Sequence, residues 1–222
     1  MLRSWGFEPV IGPNVGKVLD GKIGGRPCSS TSKEISRLSI LPLSPLHRHL
    51  PQLACGWQEK LNNMKKNVEI RKAERQDVPL LLEFIRGIAK YGKMENEVVA
   101  SPNVLEQEMF DEHRAEAVFV VVDGREVGFA LYFYNFSTFI GHSGLYLEDL
   151  FVWPEERGKG YGKALLLHLV KIANEHHCGR MEWMSLDWNK PANDFYRSLG
   201  AVPIDDCTVF RLEAAAMERL SK

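Results

Sequence analysis

Six consecutive residues, Arg157, Gly158, Lys159, Gly160, Tyr161 and Gly162, join an apolar run of strand character to an apolar-faced helical run, and this junction constrains the fold more than any other stretch. Glycines lack the Cβ that would block a tight turn or a close ligand. The first amides of the helix that follows have no intrahelical acceptor and point outward. A diphosphate accepts such hydrogen bonds and also sits at the positive end of the helix dipole. The hexapeptide alone leaves two readings open, an anion cradle and a plain structural turn.

Two familiar phosphate loops are excluded by spacing. A Walker loop needs four residues between its first glycine and a Gly-Lys-Ser/Thr end, but Gly158 and Gly162 enclose three, and Ala164 supplies no hydroxyl for magnesium. A dinucleotide fingerprint needs a third glycine where this chain has Lys163. The pattern that does fit is Arg/Gln-x-x-Gly-x-Gly/Ala, met by Arg157, Gly160 and Gly162.

Composition narrows the partners. Of 222 residues, 45% are hydrophobic and 26% charged, the balance of an ordinary globule, and the formal net charge of −1 offers no basic surface for nucleic acid or anionic lipid. Apolar runs such as Ala164–Val170 include His168 and are too short to span a membrane. A soluble protein acting on small molecules is the expectation. Cys28, Cys55, Cys178 and Cys207 form neither a Cys-x-x-Cys nor a paired Cys/His pattern, which fits a reducing cytoplasm and no metal. His176, His177 and Cys178 are adjacent, and neighbours along a helix end point in different directions.

The chain changes character near Met64. Residues 1–63 cluster Gly, Pro and Ser without a sustained period, apart from a short possible strand and turn at Trp5–Val15. They read as a poorly structured extension or as a fused or misassigned N-terminus ahead of a start at Met64, and the second reading is preferred. Residues 64–222 read as one domain.

From Val68 the periodicity is clean. It predicts a strand over Val68–Arg71, then a helix capped by Asp77 with Leu81, Phe84, Ile85 and Ile88 on its core side and Gly92 at its end. Ser101-Pro102 opens a second helix to about Phe110. Ala117–Val122, Asp123-Gly124 and Val127–Phe136 form a hairpin signature, followed by a strand over Leu145–Val152. A helix from about Gly160 to Glu175, a strand over Met181–Leu186, a short helix over Lys190–Leu199 closed by Gly200 and a last strand near Thr208–Leu212 complete the order. The expected class is α/β (α+β): a central mixed, mostly antiparallel sheet flanked by helices.

The glycine pattern together with this element order resembles the GNAT acyltransferase superfamily, and within it the diamine (spermidine/spermine and thialysine) acetyltransferases and their bacterial relatives. Three phrases carry the resemblance: Ala89-Lys90-Tyr91 with Met94-Glu95, Leu145–Val152, and Trp188-Asn189 through Asn193–Tyr196 to Leu199–Ala201. It spans roughly Val68 to Leu212. The resemblance implies the GNAT fold, acetyl-CoA as acyl donor, a small primary amine as acceptor and a homodimer.

It also implies roles. Amides from Gly158 to Lys163, including Lys159, Gly160, Tyr161 and Gly162, would grip the diphosphate with Arg157 and Lys159 adding charge. Backbone groups of Leu150, Phe151 and Val152 would pair with pantetheine amides, and Asn189 and Ala192 would contact the same chain. An alkylamine with a pKa near 10.4 attacks only as the neutral base, so a base must assist. Glu148 is the candidate, and its alternative is a solvated strand residue. Asp149, expected on the opposite face, would hold a second ammonium or serve as a surface charge. Tyr196 is the candidate general acid for the departing thiolate, or else a packed aromatic beside Phe195. Tyr91 and Glu95 would line the acceptor site. A covalent cysteine intermediate is not expected, because neither Cys178 nor Cys207 adjoins an activating pair.

Departures concern the acceptor. Gly92 follows Tyr91 where polyamine-using relatives carry an acid, and Ser137, Thr138 and Phe139 stand where their loop offers acid and tryptophan. Fewer anionic contacts imply a less cationic substrate than spermine. Protein or peptide acetylation, and a non-catalytic CoA-binding module, are the competing functions.

Overall fold

The computed structural model describes residues 67–222, so the expectations for residues 1–63, Met64, Cys28 and Cys55 lie outside the described residues. Two compact units are described, residues 67–186 and 187–222.

The first unit is built on a five-stranded sheet in the order β1-β2-β3-β4-β5: Val68–Lys72, Glu116–Val122, Arg125–Ser137, His142–Val152 and Arg180–Trp183. All neighbours are antiparallel except β4 and β5, which run parallel. A parallel pair needs a crossover, and the helix α3 (Tyr161–Glu175) supplies it. The helix α1 (Val78–Gly92) and the short α2 (Pro102–Glu106), which runs on into a π-helical turn at Gln107–Asp111, join β1 to β2. The expected mixed, mostly antiparallel sheet flanked by helices is the observed architecture.

Helix α1 forms because its apolar residues recur at helical spacing, and Leu81 and Phe84 are fully enclosed. Phe84 meets Phe119, Phe129, Phe151 and Trp153 at ring-centroid distances of 5.7, 5.1, 6.3 and 5.0 Å. Burying each such ring stabilises the fold by about 2 kcal/mol, so this cluster anchors the end of β4 that leads into the glycine loop. Gly87 permits the approach, since a Cβ there would lie 2.8 Å from the Trp153 ring. Helix α3 packs across β2, β3 and β4 through Leu165, Leu166 and Leu169.

Asp77 does not cap α1 as its position suggested. Its carboxylate turns back to accept from Arg71 Nη1 and Nη2 at 2.6 and 2.9 Å and from the Glu74 amide at 2.8 Å. The bidentate guanidinium outcompetes the helix amides and holds the Asp77 carboxyl below the usual range.

Residues 187–222 form a unit described by itself. Helix α4 (Lys190–Ser198) ends at Gly200, whose φ of 90° is the left-handed turn expected of a closing glycine. No strand forms at Thr208–Leu212; among the described residues the segment has no ladder partner, and Val209 and Phe210 are exposed. Instead helix α5 (Ala214–Leu220) follows, in a run of strong helix formers that the sequence reading passed over.

Candidate active site

The decisive feature is an irregularity in β4. Leu131 pairs with Asp149 while the next residue, Tyr132, pairs with Leu147, so Glu148 is an extra residue in the ladder, a β-bulge. Strict alternation therefore breaks here, and the opposite-face expectation for Glu148 and Asp149 does not hold as argued. Register places Asp149 with Leu131 and Phe151 on the face covered by α1, and Leu147 with Tyr132 on the other. Glu148 is exposed and Asp149 half-buried. Burial, reinforced by the negative charge of Glu148, pushes the Asp149 carboxyl up to about 6.

The bulge also marks where β4 and β5 part. Their pairing covers Gly144–Leu147 against Arg180–Trp183 and ends there, one residue before Glu148. The expected strand to Leu186 stops at Trp183, where the pairing with β4 ends. Glu148 to Val152 thus remain bonded to β3 but extend past the end of β5. Leu150, Phe151 and Val152, the expected pantetheine partners, all lie on this stretch.

Beyond Val152 the chain makes a short 3-10 turn, Pro154–Glu156, and enters the glycine loop. Gly158 and Gly160 have φ of 75° and 91°, the left-handed region that glycine occupies without strain. Gly160 is the N-cap of α3, and the first main-chain bond of the helix runs from the Ala164 amide to Gly160 O at 3.0 Å. The amides of Tyr161 and Gly162 precede that bond. A Cβ at Gly158 would meet nothing within 4 Å, so glycine is there for conformation and access, not for packing. This geometry fits a bound diphosphate: outward amides, a helix dipole and an unobstructed surface.

The charged side chains of the loop are engaged locally. Arg157 Nε donates to Val152 O at 3.0 Å, and its guanidinium lies 4.5 Å from the Tyr91 ring centre and 5.4 Å from that of Phe151. Lys159 Nζ donates to Glu155 O at 3.0 Å and to Glu156 Oε2 at 2.8 Å. Lys163 and Tyr161 sit in the first turn of α3, with Tyr161 fully buried. Tyr91, near the end of α1, is brought to the loop through Arg157, whereas Glu95 is exposed in a separate 3-10 turn.

Asn189, Ala192 and Tyr196 belong to the unit of residues 187–222. Asn189 occupies the N-cap of α4 without a side-chain capping bond. Tyr196 is half-buried against Phe195, with ring centroids 5.4 Å apart, and burial pushes its phenol above the usual value. It stays protonated at neutral pH, the state a proton donor requires. Among the described residues no metal-holding cluster occurs and no helix is long and apolar enough to cross a membrane.

Two features escaped the sequence reading. The bulge has no local signature, since only the register against β3 reveals it. Glu156, buried behind the loop, reads in sequence as one more surface acid.

Comparison with known proteins agrees with this geometry. Residues 88–201 match the acetyltransferase (GNAT) family. The chain is similar to thialysine N-epsilon-acetyltransferase from Bos taurus, with 34% identity over 166 residues covering 69% of this chain and 97% of that protein. It also matches L-ornithine N5-acetyltransferase NATA1 from Arabidopsis thaliana at 38% identity over 95 residues, 43% of this chain and 42% of that one. Among solved structures, an integron cassette protein from the mobile metagenome of V. cholerae superposes with a TM-score of 0.59 at 31% identity, covering 70% of this chain and 98% of its own. An aminoglycoside acetyltransferase from an uncultured soil metagenomic sample shares the fold, with a TM-score of 0.57 at 18% identity and coverage of 66% and 95%. With that family match and that degree of identity, the chain is an acyltransferase belonging to the GNAT acetyltransferase family.

Proposed function

We propose that this protein transfers the acetyl group of acetyl-CoA to a primary amine of a small molecule, a diamine, polyamine or thialysine-like compound, by direct attack in a ternary complex. The observation that carries the reading is the continuity from the Glu148 bulge, along the stretch of β4 beyond β5, into the glycine loop. Acetyl-CoA supplies the activated thioester. Main-chain groups of Leu150, Phe151 and Val152 hold the pantetheine arm as an added strand would be held, and the loop amides hold the diphosphate. The relatives named for thialysine and ornithine support an amine acceptor.

Glu148 and Asp149 face the acceptor's charge. An ammonium entering near two carboxylates is attracted, loses its proton to Glu148 directly or through water, and attacks as the neutral amine. Asp149 holds a second ammonium once ionised. Tyr196 donates its proton to the departing thiolate, and Tyr91 and Glu95 line the acceptor approach. A cytoplasmic homodimer is the setting implied by the resemblance.

The test is amine-dependent release of CoA thiol. Tyr196→Phe and Glu148→Gln are each expected to lower kcat by about 100-fold, the usual contribution of a positioned acid or base. If both variants turn over like the parent protein, the assigned roles are wrong. Acceptors that prove to be peptides, with diamines and amino acids inert, would replace the small-molecule reading.

A further inference from the structure

Glu156 ends the turn between β4 and the glycine loop, and its side chain is only 9% exposed. An enclosed carboxylate stays ionised only with cations beside it. Among the described residues Oε1 accepts from Arg125 Nη2 at 2.7 Å and Oε2 from Lys159 Nζ at 2.8 Å. Arg125 opens β3, just after the Asp123-Gly124 turn. Lys159 stands between Gly158 and Gly160, the loop's two left-handed residues. One buried carboxylate therefore ties the foot of a hairpin to the apex of the loop. The Lys159 ammonium is committed to Glu156 and to Glu155 O, which makes it a strut of the loop.

We propose that Glu156 is a positioning residue for the acyl donor: by holding Lys159 and Arg125 it keeps the glycine loop in its anion-binding shape before the diphosphate arrives. The inference rests on the reading that this loop grips acetyl-CoA. Glycine has more conformational freedom to lose than any other residue, so ordering a glycine loop on binding costs affinity unless the loop is fixed beforehand. Electrostatics alone predicts the reverse. Removing the Glu156 charge takes a negative charge from beside the loop while Arg125 and Lys159 keep theirs, which by itself attracts an anion more strongly. The sign of the effect therefore separates loop positioning from simple charge balance.

Calorimetry with acetyl-CoA and steady-state kinetics on the full-length protein decide it. Glu156→Gln is expected to weaken acetyl-CoA binding about tenfold, the usual worth of one charge-assisted hydrogen bond, and to raise the KM for acetyl-CoA equally while kcat at saturating donor is retained. Lys159→Met is expected to weaken binding too, and the double variant to be no worse than the weaker-binding single one, because both break the same tie. Equal or tighter binding by Glu156→Gln, or losses that add, would overturn the proposal. Arg125→Gln alters a side chain 66% exposed and keeps the question decidable if Glu156→Gln does not fold; a small loss of affinity is expected, and none would overturn the proposal. Parent protein that binds no acetyl-CoA refutes the donor reading and this inference together, whereas a binding parent with an unaffected Glu156→Gln refutes only the role of Glu156.

Discussion

Asp149 carries a conflict between stability and chemistry that can be read from one carboxyl. The folded chain keeps its proton up to about pH 6, whereas the unfolded chain releases it near 3.8. A raised carboxylate stabilises the fold below the unfolded value and loses that contribution as pH rises through the folded one. Asp149→Asn is therefore expected to leave the melting temperature unchanged near pH 4 and to raise it above pH 6. The gain is on the order of 1–3 kcal/mol. In the proposed reaction the ionised form holds an ammonium, so kcat/KM for a diamine should rise with pH between roughly 5 and 7 in the parent and lose that rise in the variant. Melts at both pH values and a pH–rate profile check the two halves separately.

The loop between β4 and α3 shows which part of an element is local. Its glycines and the outward first turn of α3 follow from residue types alone, and φ of 75° at Gly158 and 91° at Gly160 agree with that reading. Gly158→Ala isolates conformation from packing, since a Cβ there meets nothing within 4 Å. The strain of a left-handed alanine is about 1 kcal/mol, so a small drop in thermal stability and a KM for acetyl-CoA raised several-fold are expected, with kcat retained. Calorimetry and kinetics on the purified variant measure both. The bulge at Glu148 is the opposite case. It lies within Leu145–Val152, a run that reads as one continuous strand, and only the shift between Leu131 and Tyr132 in β3 shows that one residue is extra.

At the scale of the chain, the match to the GNAT family covers residues 88–201, and the Bos taurus relative aligns over 69% of the chain. A chain beginning at Met64 is accordingly expected to keep the melting temperature and the acetyl-transfer rate of the full sequence. Side-by-side melts and assays check it; a loss of either would make residues 1–63 part of the working protein. The sheet order β1-β2-β3-β4-β5 also explains why one end of β4 is available at all. A parallel crossover places β5 against only the first half of β4, at Gly144–Leu147, and the second half extends past it.

What the amino-acid sequence determined by itself were features set by neighbours along the chain: the glycine loop, the helical spacing of Leu81, Phe84, Leu165 and Leu169, the Asp123-Gly124 hairpin and the closing turn at Gly200. These depend on backbone freedom and on which face a residue occupies within one element. Only the tertiary structure decided the rest. Whether Asp77 caps a helix or pairs with Arg71, whether Thr208–Leu212 finds a ladder, where β4 bulges and which cations neutralise Glu156 all turn on partners distant in sequence. Hydrogen bonds and ion pairs are satisfied by whatever the fold brings near, and one sequence position carries no record of that company.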